Sequence, residues 1–133
     1  PARLLLAFRF LPPVECSPNW RGHWAVRLKA ADEWRFVART EIHCQMAHEK
    51  APLPLKAPVL ASVVVVIPKR KWRRMDEDNF RGRLKPCWDL LVKEGILADD
   101  RQEALKVFPI SFMRAEQGDG GMMIALEGAK ETP

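Results

Sequence analysis

The side chains able to do chemistry are concentrated in one part of the chain. A cationic run, Lys69-Arg70-Lys71-Trp72-Arg73-Arg74, leads into Asp76-Glu77-Asp78-Asn79; Lys85 and Asp89 follow, then Asp99-Asp100. Carboxylates are the ligands of hard divalent ions such as Mg²⁺, or Mn²⁺ in its place, which take one or two of them and keep several waters. An ion so held polarises a phosphoryl oxygen and makes hydroxide from bound water near neutral pH. Asp76 and Asp78 are one residue apart, so in an extended segment they point the same way, and Asp99 or Asp100 would close the set from a neighbouring turn. This makes Asp76, Asp78, Asp99 and Asp100 the candidate metal ligands. A calcium loop is excluded, because its sixth position holds Arg81 instead of Gly and its twelfth Cys87 instead of Glu. The competing reading is two solvated acidic turns, one of them capping a helix with Asp78 or Asn79.

The balance of charge suits a polyanionic partner. The 133 residues carry a net charge of +5 with a pI near 9.4, and Lys69, Arg70, Lys71, Arg73 and Arg74 are the expected phosphate contacts. Trp72, set among them, either wedges into nucleic acid or packs on its neighbours' aliphatic stems. A second candidate surface is the loop from Pro12 to Trp24, where Asn19, Arg21 and His23 accompany Trp20 and Trp24. These residues either grip phosphate and stack on bases or fold back onto the domain. Cys16, Cys44 and Cys87 form no C-x-x-C pair, which suggests reduced thiols in a cytoplasmic protein. No stretch approaches a membrane span.

The elements that must position these groups can be read from periodicity. Residues 3–10 suggest a strand lying inside a sheet. Over 26–49, Trp34, Ala38, Ile42 and Met46 recur every fourth residue, which predicts a helix with one apolar face. Val59–Ile67 predicts a strand covered on both faces, stopped by Pro68. A helix follows from about Asp78 to Lys93, bent at Pro86 and capped by Gly95; on it Asp78, Gly82, Lys85 and Asp89 share a stripe, with Asp89 pairing with Lys85. Ala104–Met113 reads as a strand interrupted by Pro109, at an edge or a bulge. Gln117–Gly121 reads as a hairpin turn into a last strand, Met122–Leu126. The expected architecture is a single α/β (α+β) domain, with one mixed sheet of about four strands, two helices on one face, and the order β-α-β-α-β-β.

Asp76-x-Asp78-Asn79, then Lys85-x-x-x-Asp89, then Asp99-Asp100, preceded by Leu11-Pro12-Pro13 and Ser17-Pro18-Asn19-Trp20-Arg21-Gly22-His23-Trp24, follow one another along most of the chain. This ordered set resembles the RusA family of Holliday-junction resolvases. The resemblance implies a Mg²⁺-dependent crossover junction endodeoxyribonuclease of DNA recombination and repair. Such an enzyme acts as a homodimer that nicks two strands of a four-way junction, and is of phage or prophage origin in a bacterial cell. It places the catalytic roles on Asp76, Asp78, Asp100 and Lys85. One spacing departs from the pattern: Lys85 follows Asp78 by seven residues, position four is Gly82, and Arg81 or Arg83 is an alternative cation. A non-catalytic DNA-binding module and a nuclease of relaxed structure preference are the other readings.

Overall fold

In the computed structural model, which describes residues 2–72 and 76–130, one central strand organises the sheet. This is β2, Val59–Pro68, whose β-branched run Val63–Ile67 favours extended backbone. Strand β5 (Gly121–Glu127) pairs antiparallel along one side of β2, and β1 (Arg3–Phe8) pairs antiparallel outside β5. Along the other side of β2 run two short parallel strands, β3 (Leu105–Val107) beside Val59–Ala61 and β4 (Ser111–Ala115) beside Val64–Pro68. They form one edge position broken around Pro109, which has no N–H to give to the ladder. The sheet is mixed, as expected, with five strands in four positions.

Helix α1 spans Trp24–Met46 and buries Ala31, Trp34, Ala38 and Ile42. The expected continuous second helix is instead two helices, α2 (Glu77–Arg83) and α3 (Lys85–Lys93), with Leu84 between them. A continuous helix would leave the Gly82 carbonyl without its donor and press the Pro86 ring into the preceding turn. The break places Pro86 in the first turn of α3, where no N–H is needed. The C-terminus of α3 is closed by Gly95 at φ 77°: Gly95 N–H donates to Val92 and Ile96 N–H to Leu91.

Both helical units cover the same face. Phe8, Met122, Val65 and Phe112 form one cross-strand row. Trp34 of α1 packs on Phe8 at one end of it and Phe80 of α2 on Phe112 at the other. Two expectations are corrected here. β1 is an edge strand, and β2 is covered by helices on one face only, its alternate residues being partly or fully exposed. Side chains close the outer edge of β1: Gln45 of α1 accepts from the Ala7 N–H and donates to the Ala7 carbonyl, both at 2.7 Å, and Glu41 accepts from the Arg9 N–H.

The predicted hairpin at Gln117–Gly121 is also corrected. β4 and β5 do not pair; they flank β2, and the glycine-rich loop crosses the end of β2 between them. Gly120, at φ 82°, lies against the strand so closely that a Cβ would fall on the Val66 carbonyl oxygen. Gly120→Ala is therefore expected to cost about 1–3 kcal/mol from strain and overpacking, read as a lower urea midpoint at unchanged m-value.

Candidate functional site

The loop before α1 is held in shape by α1 itself. Arg27 donates to the carbonyls of Glu15 (2.8 Å), Ser17 (3.3 Å) and Trp20 (3.3 Å), and its guanidinium lies 5.8 Å from the Trp20 ring. The ring of Trp20 also fills the space a Cβ on Gly22 would need, so Trp20 folds back onto the domain. Trp24 does the opposite: it is 70% exposed, with the His23 ring 5.5 Å away. Nδ1 of His23 caps α1 by accepting from the Ala25 N–H. Asn19, Arg21 and His23 are exposed.

The loop is docked onto α2. Buried Ser17 donates its hydroxyl to Asn79 Oδ1. The Pro18 ring sits where any side chain on Gly82 would be. Arg83 donates from Nε (3.1 Å) and Nη2 to the Pro12 carbonyl, and its guanidinium lies 4.9 Å from the Phe80 ring. The upstream segment and the acidic segment, separate in sequence, are thus one physical unit. Of the two readings the sequence left open for Trp20 and Trp24, Trp20 takes the folded-back one and Trp24 is the exposed aromatic; sequence reasoning missed Arg27 as the residue organising the loop. No local signal marks Arg27, whose role depends on three carbonyls turned towards it.

Asp76 and Asp78 do not lie in one extended segment. Asp76 is the N-cap of α2, its Oδ1 accepting from the N–H groups of Asp78 (3.0 Å) and Asn79 (3.3 Å), and Asp78 is helical. The cap is neither Asp78 nor Asn79. Lys85 opens α3 with Nζ 2.7 Å from Asp100 Oδ2 and 3.0 Å from Asp89 Oδ1. Its ammonium is held above its ordinary value by Asp100 first and Asp89 second, and the same contact holds the Asp100 carboxyl below its own. Asp99 turns instead to Arg101, accepting from its backbone N–H (3.1 Å) and from its side chain, which lowers the pKa of Asp99. The structure thus brings Lys85, Asp89 and Asp100 together. Among the described residues no three His, Cys, Asp or Glu side chains come close enough to hold an ion together. A cleft of about 660 Å³ opens beside Asp100, with Arg81, Trp88, Gln102 and Lys106 among its walls.

The three candidate cations separate by what they touch. Arg83 serves the loop. Arg81 donates to the carbonyls of Val107 (3.0 Å) and Phe108 (3.1 Å) and pairs with Glu77 (2.8 Å), fixing α2 to the β3 edge. Lys85, its side chain 64% exposed against 37% for Arg81, is the most open of the three and the one that meets two carboxylates. Lys69, Arg70 and Lys71 form an exposed single turn directly after β2, with Arg70 3.0 Å from Asp119 of the crossing loop. Trp72 is 42% exposed; Arg73 and Arg74 lie outside the described residues. The chain matches no protein-family model and no curated protein.

The contacts predict a split in stability. Arg83→Ala removes charged hydrogen bonds to a half-buried carbonyl and should cost about 1.5–3 kcal/mol, while Lys85→Ala should cost less, about 1 kcal/mol, because the lysine itself is 64% exposed. Asp100, depressed in the folded state, stabilises above the unfolded carboxylate pKa and loses that contribution as pH falls through the folded value. Lys85, raised, stabilises below 10.5 and loses it as pH rises through the folded value. The melting-temperature gap between wild type and Asp100→Asn should be widest at neutral pH and close in acid.

Proposed function

We propose that this chain is a metal-dependent endonuclease that cuts branched DNA, resolving four-way junctions by paired nicks as a homodimer in the bacterial cytoplasm. The observation that carries the reading is Lys85, held in the open between Asp89 and Asp100, on a molecule with an exposed basic turn, Lys69–Lys71, directly after β2. The candidate donors are all carboxylates, the ligand type that Mg²⁺ or Mn²⁺ would take one or two of while keeping several waters. Asp100 is the first ligand in this scheme, and Asp76 and Asp78 are the remaining candidates. The ion supplies Lewis acidity and an activated water.

The chain's own residues do the rest. Lys69, Arg70 and Lys71 hold the sugar–phosphate backbone, with Arg21 a further contact from the loop. Exposed Trp72 and Trp24 offer stacking surfaces for unpaired bases. Lys85 exchanges a carboxylate for a phosphate oxygen and offsets the charge that builds there as the phosphorus becomes five-coordinate. Asp89 keeps the ammonium placed during that exchange.

One observation favours a second reading. Asp76, Asp99 and Asp100 each have a partner within the chain, as they would in a non-catalytic DNA-binding module. Incubation with a labelled four-way junction and with a linear duplex, in Mg²⁺ and in Mn²⁺, separates the readings. The nuclease should nick the junction, and Lys85→Ala or Asp100→Asn should slow nicking by about 100-fold or more with binding retained. Binding without nicking in either ion leaves the module, and equal cutting of the duplex means relaxed structure preference. Replacing Lys69 or Lys71 by Ala should lower the salt-dependence slope of binding by about 0.9 per lost phosphate contact.

A further inference from the structure

Two recesses open on either side of Lys85. Helix α3 turns about 100° per residue, so Trp88 projects about 60° to one side of Lys85 and Asp89 about 40° to the other. On the Trp88 side lies the cleft of about 660 Å³ that Asp100, Gln102 and Lys106 border. On the Asp89 side a groove of about 490 Å³ runs between α3 and α1. There α3 contributes Asp89 and Lys93, and α1 contributes Asp32, Arg35, Phe36 and Arg39, spaced i, i+3, i+4 and i+7 so that they share one face. Phe36 is 78% exposed, more than any other large apolar side chain among the described residues. We propose that the DNA strand to be cut crosses α3 unpaired, its phosphate at Lys85, one neighbouring nucleoside in the cleft beside Trp88 and the other stacked on Phe36 in the groove. This deepens the nuclease reading and rests on it for the phosphate at Lys85.

Charge, size and shape select that occupant. In the groove two cations are already paired, Arg35 with Asp32 at 2.7 Å and Arg39 with Glu94 at 2.8 Å. The cleft sets Arg81 and Lys106 against Asp100 and Glu103. Each recess therefore balances its charge, which suits a neutral base better than a phosphate. The phosphate has its place between them, at the Lys85 ammonium, which Asp100 of the cleft and Asp89 of the groove hold in position. Both volumes fall in the range of about 300–1,000 Å³ found for small-molecule sites, with room for one nucleoside each. An exposed phenyl ring is a stacking platform for any base. A duplex cannot enter in this way, because its neighbouring bases are paired and stacked on one another and do not part to opposite sides of a helix. An unpaired strand can, and a branch point supplies one. The two recesses thus give a physical reason for cutting branched DNA in preference to linear duplex.

Binding measured without a divalent ion tests the path apart from cutting. A fluorescent oligothymidylate of about ten residues should bind the whole chain more tightly than a duplex of the same length. Phe36→Ala should weaken that binding about 10-fold, and Phe36→Trp should keep it. Phe10→Ala, which removes another exposed phenyl ring lying outside both recesses, should leave it unchanged. 5-Iodouracil placed in the strand should crosslink on both sides of Lys85, to the α1 peptide that carries Phe36 and to residues 102–107. A Phe36→Ala chain that binds the strand as tightly as wild type overturns the proposal. So does an equal loss in Phe10→Ala, a duplex bound as tightly as the strand, or crosslinks confined to one side of Lys85. Junction nicking in Mg²⁺, assayed separately, keeps the two readings apart. Nicking by wild type with normal strand binding by Phe36→Ala sinks the path alone, whereas the Phe36→Ala loss without any nicking sinks the nuclease reading and leaves a strand-binding surface.

Discussion

Pro86 cannot sit inside an uninterrupted helix, and much of the site's geometry follows from that. The chain gives up one helix for two at Leu84, so Lys85 becomes the first residue of α3 instead of a mid-helix residue. A cation there faces the positive end of the helix dipole, the unfavourable end for it. Asp100 arrives from the loop after α3 and Asp89 from one turn further along, and between them they offset that repulsion. A local preference is broken and repaired only by a non-local partner, the pattern expected where a residue is placed for a task and not for stability.

Elements whose cause is local were legible. The four-residue recurrence through Trp34, Ala38, Ile42 and Met46 gave α1 within a few residues, the β-branched run gave β2, Gly95 gave the end of α3, and Pro109 gave the broken edge. What failed depended on distant partners. Gly118–Gly121 has the composition of a hairpin turn, and nothing within it says that β5 pairs with β2 instead of β4. Asp76, Asp78 and Asn79 are all good helix caps, and which one caps is decided by where α2 begins against the docked loop. The candidate site was legible as a set of residues and only partly as a constellation. The Lys85–Asp89 pairing follows from helical spacing, whereas Asp100 reaching Lys85 depends on the turn after α3.

The docking of the Pro12–Trp24 loop ties its residues to the acidic segment as one physical unit. Gly82 is glycine because Pro18 occupies its side-chain space, Asn79 receives the Ser17 hydroxyl, and Arg83 holds the Pro12 carbonyl. These contacts orient α2 from the side opposite its attachment to β3 through Arg81. The Asp76 cap is therefore set by two clamps, one on each side of α2. Arg81 and Arg83, plausible catalytic cations in sequence, are the clamps.

Asp100 has two suitors in this fold. Its carboxylate satisfies Lys85 in the free chain, and under the nuclease reading it must also serve a divalent ion. The two demands are compatible because the Lys85 end of the pair is open to water, its side chain 64% exposed against 20% for Asp100, so the ammonium can leave without being stranded in a buried site. Asp89 makes the exchange cheaper still, since Lys85 keeps one carboxylate when it releases the other. An ammonium freed in this way stays near Asp100, tethered by Asp89 one turn along α3. A buried pair would have been locked by the cost of leaving either charge alone. Exposure of Lys85 is thus what makes one constellation serve both the resting chain and the reaction proposed for it.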